Sequence, residues 1–191
     1  MDDKISVFLI KEYENINYWL SHAEAKNAAN LAFAIASIAV FAQKNFDFLS
    51  VDVVIISLLS FSAIVSLLSF VPFIVDKISL GIKKQKEAGS NYIFFYDISS
   101  YNTGKDYLDD VQAAYFCDSE YSSDISEDRC NKTEEKCEKI SSLLWHHYCD
   151  EIVYNSKVTC RKYFLFKIAA FVNLLAYTLL LVEMVYLAVA R

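Results

Sequence analysis

The chain has 191 residues, 55% hydrophobic and 22% charged, with a formal net charge of −6 and a positive mean hydropathy. That is too apolar for an ordinary soluble domain of this size and too charged for membrane throughout, so it predicts several spans plus one polar region; the net acidity excludes a whole-chain nucleic-acid footprint, and no DNA or RNA partner is expected. Three glycines and one proline disfavour a turn-rich β fold and favour long, uninterrupted helices.

The chain opens with MDDKISVFLIKEYENINYWL. This is no secretory signal, because its apolar run is broken by Lys11, Glu12 and Glu14. Ile5, Phe8, Leu9, Tyr13, Ile16, Trp19, Leu20 and Ala23 follow helical spacing and predict an amphipathic lead-in helix over residues 4–23. Tyr18 and Trp19 stand where an interfacial aromatic belt is expected. Glu24 and Lys26 then open the first apolar run, either as interfacial anchors or as functional charges. Asn27–Gln43 is uncharged for 17 residues, about the minimum for a span. Alanines at 25, 28, 32, 36 and 39 form one small-residue stripe along it. Nine residues, Lys44–Asp52, link it to the next apolar run, so the two are expected to form an antiparallel hairpin.

That next run, Val53–Val75, holds 23 residues without a charge, about 34 Å at the helical rise. It predicts a transmembrane helix. Its Ser62, Ser66 and Ser69 are expected to face the alanine stripe, since small residues let helices approach closely in lipid. Pro72 is positioned to kink its last turns.

Residues 77–163 form the polar insert. Lys77, Lys83, Lys84 and Lys86 flank it on one side, and Lys157, Arg161 and Lys162 on the other. Between them, residues 87–156 hold 15 Asp/Glu against 5 Lys/Arg, which reads as a solvated acidic surface. The basic flanks place the insert in the cytoplasm and the short hairpin turn outside. Within it, Asn91–Ser99 is β-like, a short strand or an extended segment packed on helices. Thr103 with Asp106 three residues on predicts an N-capped amphipathic helix. Residues 118–128 read as a polar loop. From about Ser126 onward, Cys130, Thr133, Cys137, Ile140, Leu144, Tyr148, Ile152, Asn155 and Thr159 trace one stripe of a long helix, which runs into a third span at Ile168–Val189. Glu183 lies in that span. A carboxylate there lines a pore or helix contact, or else sits at the outer headgroups.

The expected fold is therefore mainly α and membrane-integral, with three transmembrane helices. A lead-in helix (1–26) precedes a hairpin (27–76), a cytosolic helical region (77–163) and a C-terminal span (164–191). Three spans put the N-terminus inside. The candidate pore or helix-contact residues are Ser62, Ser66, Ser69, Glu24 and Glu183.

Chemistry-bearing motifs are absent from the sequence. His146, His147, Cys149 and Cys137 match no zinc spacing, and adjacent histidines point about 100° apart on a helix. No nucleophile elbow, metalloprotease helix, P-loop or dinucleotide fingerprint occurs. No metal, cofactor or enzymatic activity is expected. The five cysteines include no CxxC pair, and reduced thiols are expected in a cytosolic region.

Ala23-Glu24-Ala25-Lys26 leads into a small-residue span, and a second span ends in Val71-Pro72. Then come Ser90-Asn91-Tyr92-Ile93-Phe94-Phe95-Tyr96-Asp97-Ile98, Tyr107-Leu108, a long helix and a final span. This order resembles the transmembrane effectors of Pycsar anti-phage systems, the PycTM family, over about residues 19–189. The resemblance implies a neighbouring pyrimidine cyclase that makes cyclic CMP or cyclic UMP on infection. The effector would sense the nucleotide and impair the bacterial inner membrane, causing abortive infection. It also implies inner-membrane lipid and further copies of the chain as partners. The sequence contains no glycine-rich phosphate cassette. A cyclic pyrimidine nucleotide needs an aromatic for its base and donors for its phosphate. Phe94, Phe95 and Tyr96 beside Asp97 are the aromatic candidates, against a plain core-packing role. Lys26, Lys83 and Lys84 are the candidate cations. The rival readings are a membrane effector gated by a cyclic oligonucleotide and a non-toxic membrane scaffold.

Overall fold

The computed structural model describes residues 2–42, 49–71, 91–116 and 132–189. Among these no strand occurs. The elements are α1 (Asp2–Phe41), α2 (Leu49–Leu68), α3 (Phe95–Ile98), α4 (Gly104–Val111) and α5 (Lys132–Val189), with a π-helical turn at Gln112–Phe116 after α4. Neither α1 nor α5 contains a glycine or proline, so nothing in their backbones interrupts 40 and 58 helical residues respectively. The lead-in helix and the first apolar run are thus one helix. The stalk and the C-terminal apolar run are likewise one.

Among the described residues two helices are long and apolar enough to cross a membrane: α2, over Val51–Leu68, and α5, within Leu144–Val189. α1 does not reach that measure, because Asn27 and Asn30 dilute its short uncharged run. The second apolar run also ends earlier than its composition predicts. Ser69 N and Phe70 N donate to the Ser66 and Leu67 carbonyls in i→i+3 bonds of 3.1 and 3.0 Å, which tighten and close the last turn. Pro72 follows in the sequence and disfavours helix at the residue before it. The rest of that run, with Lys83 and Lys84, lies outside the described residues, as does the 118–128 loop.

The chain divides into two compact units, Met1–Trp19 with Val75–Cys160, and Leu20–Ile74 with Arg161–Arg191. Both long helices contribute to both. In the first unit, α1 buries Ile5, Leu9 and Ile16, as its periodicity predicts. Trp145 Nε1 donates to Ser6 Oγ (3.0 Å), and Asn155 Nδ2 donates to Asn17 Oδ1 (3.0 Å). These contacts make α1 and α5 parallel there. Ile152 and Thr159 of the expected α5 stripe are buried, but at three other positions the next residue takes the interior: Trp145 in place of Leu144, Cys149 in place of Tyr148 and Ser156 in place of Asn155. The indole, larger and carrying a donor that finds Ser6, takes the interior position.

Asn91–Ser99 is not a strand. It turns at Tyr92–Ile93 and forms the one-turn helix α3, with Asn91 Oδ1 accepting from Ile93 N (3.0 Å). α4 forms as its sequence predicts: Thr103 Oγ1 accepts from Asp106 N at 3.2 Å, satisfying one of the donors at a helix start. Gly104 lies against α5. Its N–H donates to Asp150 Oδ1 at 3.0 Å, and a Cβ there would come within 2.6 Å of the Cys149 carbonyl carbon. Only glycine permits that approach.

Candidate functional site

In the first unit the expected aromatic set is divided. Phe95 is buried at 8% exposure, with its ring 5.6 Å from Trp19, whereas Phe94 and Tyr96 are exposed at 42% and 38%. Asp97 Oδ2 accepts from Asn91 N at 3.3 Å and so braces the turn. The Phe94 ring lies 4.8 Å from Phe95 and 6.5 Å from Tyr96. The result is two exposed rings, tilted 43° to each other, beside a buried one; an exposed aromatic ring is a group on which a base can stack. Lys26 belongs to the second unit. There its ammonium sits 5.1 Å from the Tyr163 ring centre and 5.8 Å from that of Phe166.

Behind this face lies a carboxyl whose place is not evident from the sequence, where Glu12 reads as a charge that breaks an apolar run. In the structure it is 4% exposed and accepts from Asn15 Nδ2 at 3.2 Å. Asn15 also donates to the Ile93 carbonyl (3.2 Å), in the turn that leads to α3. Burial raises Glu12 from 4.5 to about 7, partly opposed by the Asn15 hydrogen bond. Its charge reaches Tyr107, whose phenol is pushed above its ordinary range chiefly by burial and whose hydroxyl donates to the Tyr92 carbonyl at 2.8 Å. Burial, with Asp150 adding, pushes the Cys149 thiol up to about 12, an unreactive value. The spacing Leu9, Glu12, Ile16 places the carboxyl on the buried stripe, and that was the available signal. His147 is exposed and Cys149 buried, so they do not share a face.

The second unit buries many of its polar side chains and exposes many of its apolar ones. α2 and α5 expose Phe61, Ile64, Leu67, Phe171, Leu181 and Val182. Ser62, Ser66 and Ser69 are buried as helix-contact residues. Their partner is not the alanine stripe, whose residues 25, 28, 32, 36 and 39 are all exposed. For Ser62 and Ser66 it is Asn30, which donates from Nδ2 to Ser66 Oγ at 2.8 Å and Ser62 Oγ at 3.2 Å; Ser69 Oγ donates to the Ser66 carbonyl at 2.7 Å. Asn173 Nδ2 donates to Asn30 Oδ1 (2.8 Å), and Ser62 Oγ donates to the Ala169 carbonyl (2.8 Å). The demand of buried amides and hydroxyls for partners outweighs the preference of small residues for close packing.

Toward the start of these segments, Asn27 Nδ2 donates to the Ala23 and Lys162 carbonyls, both at 3.0 Å, and Lys162 Nζ pairs with Glu24 at 2.9 Å. Farther along, Ser37 and Tyr177 share a hydrogen bond. An apolar layer of Phe41, Ile55, Leu59 and Ala176 follows. Asp52 and Glu183 are buried, each seven residues beyond Leu59 and Ala176 along its helix. Glu183 is thus placed in the interior of this unit. Asn27 Oδ1 and Asn173 Oδ1 are also buried and accept no hydrogen bond from the protein. Each such acceptor costs about 1–3 kcal/mol, so the interior is not arranged for stability alone.

A helical bundle with lipid-type exterior and hydrogen-bonding interior, together with a compact aromatic-rich unit, is the architecture of a membrane-associated effector. The family model of the Pycsar effector protein domain, PycTM, matches residues 8–190. The chain belongs to that family and is an effector of Pycsar anti-phage defence. No curated protein and no solved structure matches it.

Proposed function

We propose that this effector senses a cyclic pyrimidine mononucleotide, cyclic CMP or cyclic UMP, and on binding it impairs the bacterial inner membrane, so that the infected cell dies before phage release. The observation that carries the reading is the family match, which spans nearly the whole chain. The nucleotide comes from a neighbouring cyclase, the effector acts as a homo-oligomer without enzymatic activity, and no cofactor takes part. The first unit is the cytosolic sensor: Phe94 and Tyr96 stack the base, Phe95 anchors them, Asp97 holds the turn, and Lys83 and Lys84 supply phosphate charge. The second unit is the membrane body. Its three apolar segments all span the bilayer, α1 despite its asparagines, because their amide donors find acceptors inside the bundle. The N-terminus and residues 77–163 are cytoplasmic. Since α1 and α5 contribute to both units, ligand-driven repacking of the first has a covalent route to the second.

The test is inducible expression of the full chain beside an active or an inactivated pyrimidine cyclase, read with a membrane-potential dye. Depolarisation and growth arrest are expected with the active cyclase alone. Indifference to both cyclases favours a scaffold. Response only to a cyclic oligonucleotide synthase transfers the ligand assignment to that class.

A further inference from the structure

We propose that the interior of the second unit is a cation permeation path with a built-in apolar gate. The proposal rests on the membrane-impairing function given above and names the route and the permeant class, monovalent cations including protons. Three features lie in sequence along the same helices. The first is the amide–hydroxyl seam, in which Asn30 joins Ser62, Ser66 and Asn173 across α1, α2 and α5. The second is the dry layer of Phe41, Ile55, Leu59 and Ala176. The third is a pair of buried carboxyl residues, Asp52 and Glu183, one on α2 and one on α5.

Hydrogen bonding fixes the register. Asn30 reaches Ser62 and Ser66 on the descending α2, while Asn27, Asn30 and Ser37 meet Lys162, Asn173 and Tyr177 in ascending order on α5. The seam, the layer and the carboxyl residues therefore follow one another along the bundle. A purely adhesive seam would satisfy its own acceptors. This one leaves Asn173 Oδ1 and Asn27 Oδ1 buried with no protein donor, in residues 5% and 0% exposed. Such oxygens suit water or a partly dehydrated cation. An apolar constriction between polar stretches gates by dewetting, and carboxylates at one end favour cations over anions. At rest the layer is closed; separation of the helices wets it and joins the two polar stretches.

The experiment uses the full chain in planar bilayers under a KCl gradient. Leu59→Ser wets the gate without any nucleotide and is expected to raise potassium flux at least tenfold over the parent protein, with a reversal potential displaced toward that of potassium. Ile55→Thr, which keeps the β-branch and lies in the same layer, is the second variant in case Leu59→Ser does not fold. Adding Asp52→Asn and Glu183→Gln is expected to move the reversal potential toward zero. Folded gate variants with no added flux, or flux indifferent to the two carboxyl replacements, overturn the path. The parent protein is then given cyclic CMP or cyclic UMP. Cation-selective gate variants beside an unresponsive parent sink the proposed function and leave the path standing. A responsive parent whose current does not distinguish cation from anion does the reverse.

Discussion

The two units are built from the same two long helices, yet their interiors obey opposite rules. The first buries tyrosines, leucines and isoleucines around Tyr107, with one carboxyl, Glu12, held against its preference. The second buries asparagines and serines beside a single apolar layer of Phe41, Ile55, Leu59 and Ala176, and turns Phe61, Leu67, Phe171 and Leu181 outward. Water drives the first packing, since apolar area removed from it is stabilising. It cannot drive the second where lipid is as apolar as leucine, and there hydrogen bonds and close contact hold helices together. Polar substitutions inside the two units should accordingly have different consequences.

The largest expected effect is steric and confined to the first unit. Gly104→Ala places a methyl group against the backbone of Cys149 and Asp150, where no flexible side chain can give way. We expect a loss of about 3 kcal/mol, read by chemical unfolding of the detergent-solubilised chain. A stable Gly104→Ala variant would mean that α4 is not seated on α5 as described.

A comparable magnitude with the opposite sign is expected at Glu12. Its folded value of about 7 lies above the ordinary value of 4.5. Between those limits the unfolded chain releases the proton and the folded chain retains it. Stability therefore falls as pH rises from about 4.5 to 7 and is flat on either side, a total of about 3 kcal/mol. Glu12→Gln keeps the acceptor for Asn15 and abolishes the slope. The variant should be more stable than the parent above pH 7, by roughly that amount, and no different below about pH 4.5. An unchanged pH profile would remove Glu12 from the interior.

The matched change in the second unit is Asn173→Leu. It deletes the donor to Asn30 Oδ1 but also an acceptor that has no protein partner. Interhelical hydrogen bonds in lipid average about 0.6 kcal/mol, so the two effects nearly cancel. Stability in bicelles should change by less than about 1 kcal/mol, while flux through the proposed path falls. A loss of several kcal/mol would make the seam adhesive, and the contrast between the units would narrow.

What the sequence revealed follows the same division. The buried face of α1 over residues 5–23, the Thr103 cap and the long C-terminal helix were all legible, because spacing and capping chemistry are local. The α5 stripe holds at Ile152 and Thr159 but is off by one position at Leu144, Tyr148 and Asn155, since steps of three and four allow adjacent registers and the meeting of Trp145 with Ser6 selects one. Alanine spacing pointed to the wrong face of α1. Small residues permit close approach without demanding it, whereas Asn27 and Asn30 demand partners that lie far away in sequence. Glu12 was missed for a related reason: a charge in an apolar run reads as an interruption until a neighbouring helix covers it.

The smallest effects distinguish exposed from buried polar contacts. Thr103→Ala removes the Asp106 N–H acceptor and should cost about 1 kcal/mol, with faster amide exchange confined to the first turn of α4. Glu24→Gln should cost less still. The Glu24 side chain is 47% exposed, so solvent screens its attraction for Lys162 and the pair contributes under about 1 kcal/mol. The lysine keeps other support, since its carbonyl accepts from Asn27 and its ammonium lies 5.6 Å from the Phe70 ring centre. Raising salt should reduce the parent's margin over Glu24→Gln. It should leave the Asn173→Leu comparison unchanged, because the seam carries no formal charge and is out of reach of bulk ions. Equal salt sensitivity in the two variants would mean that the interior of the second unit is already wet.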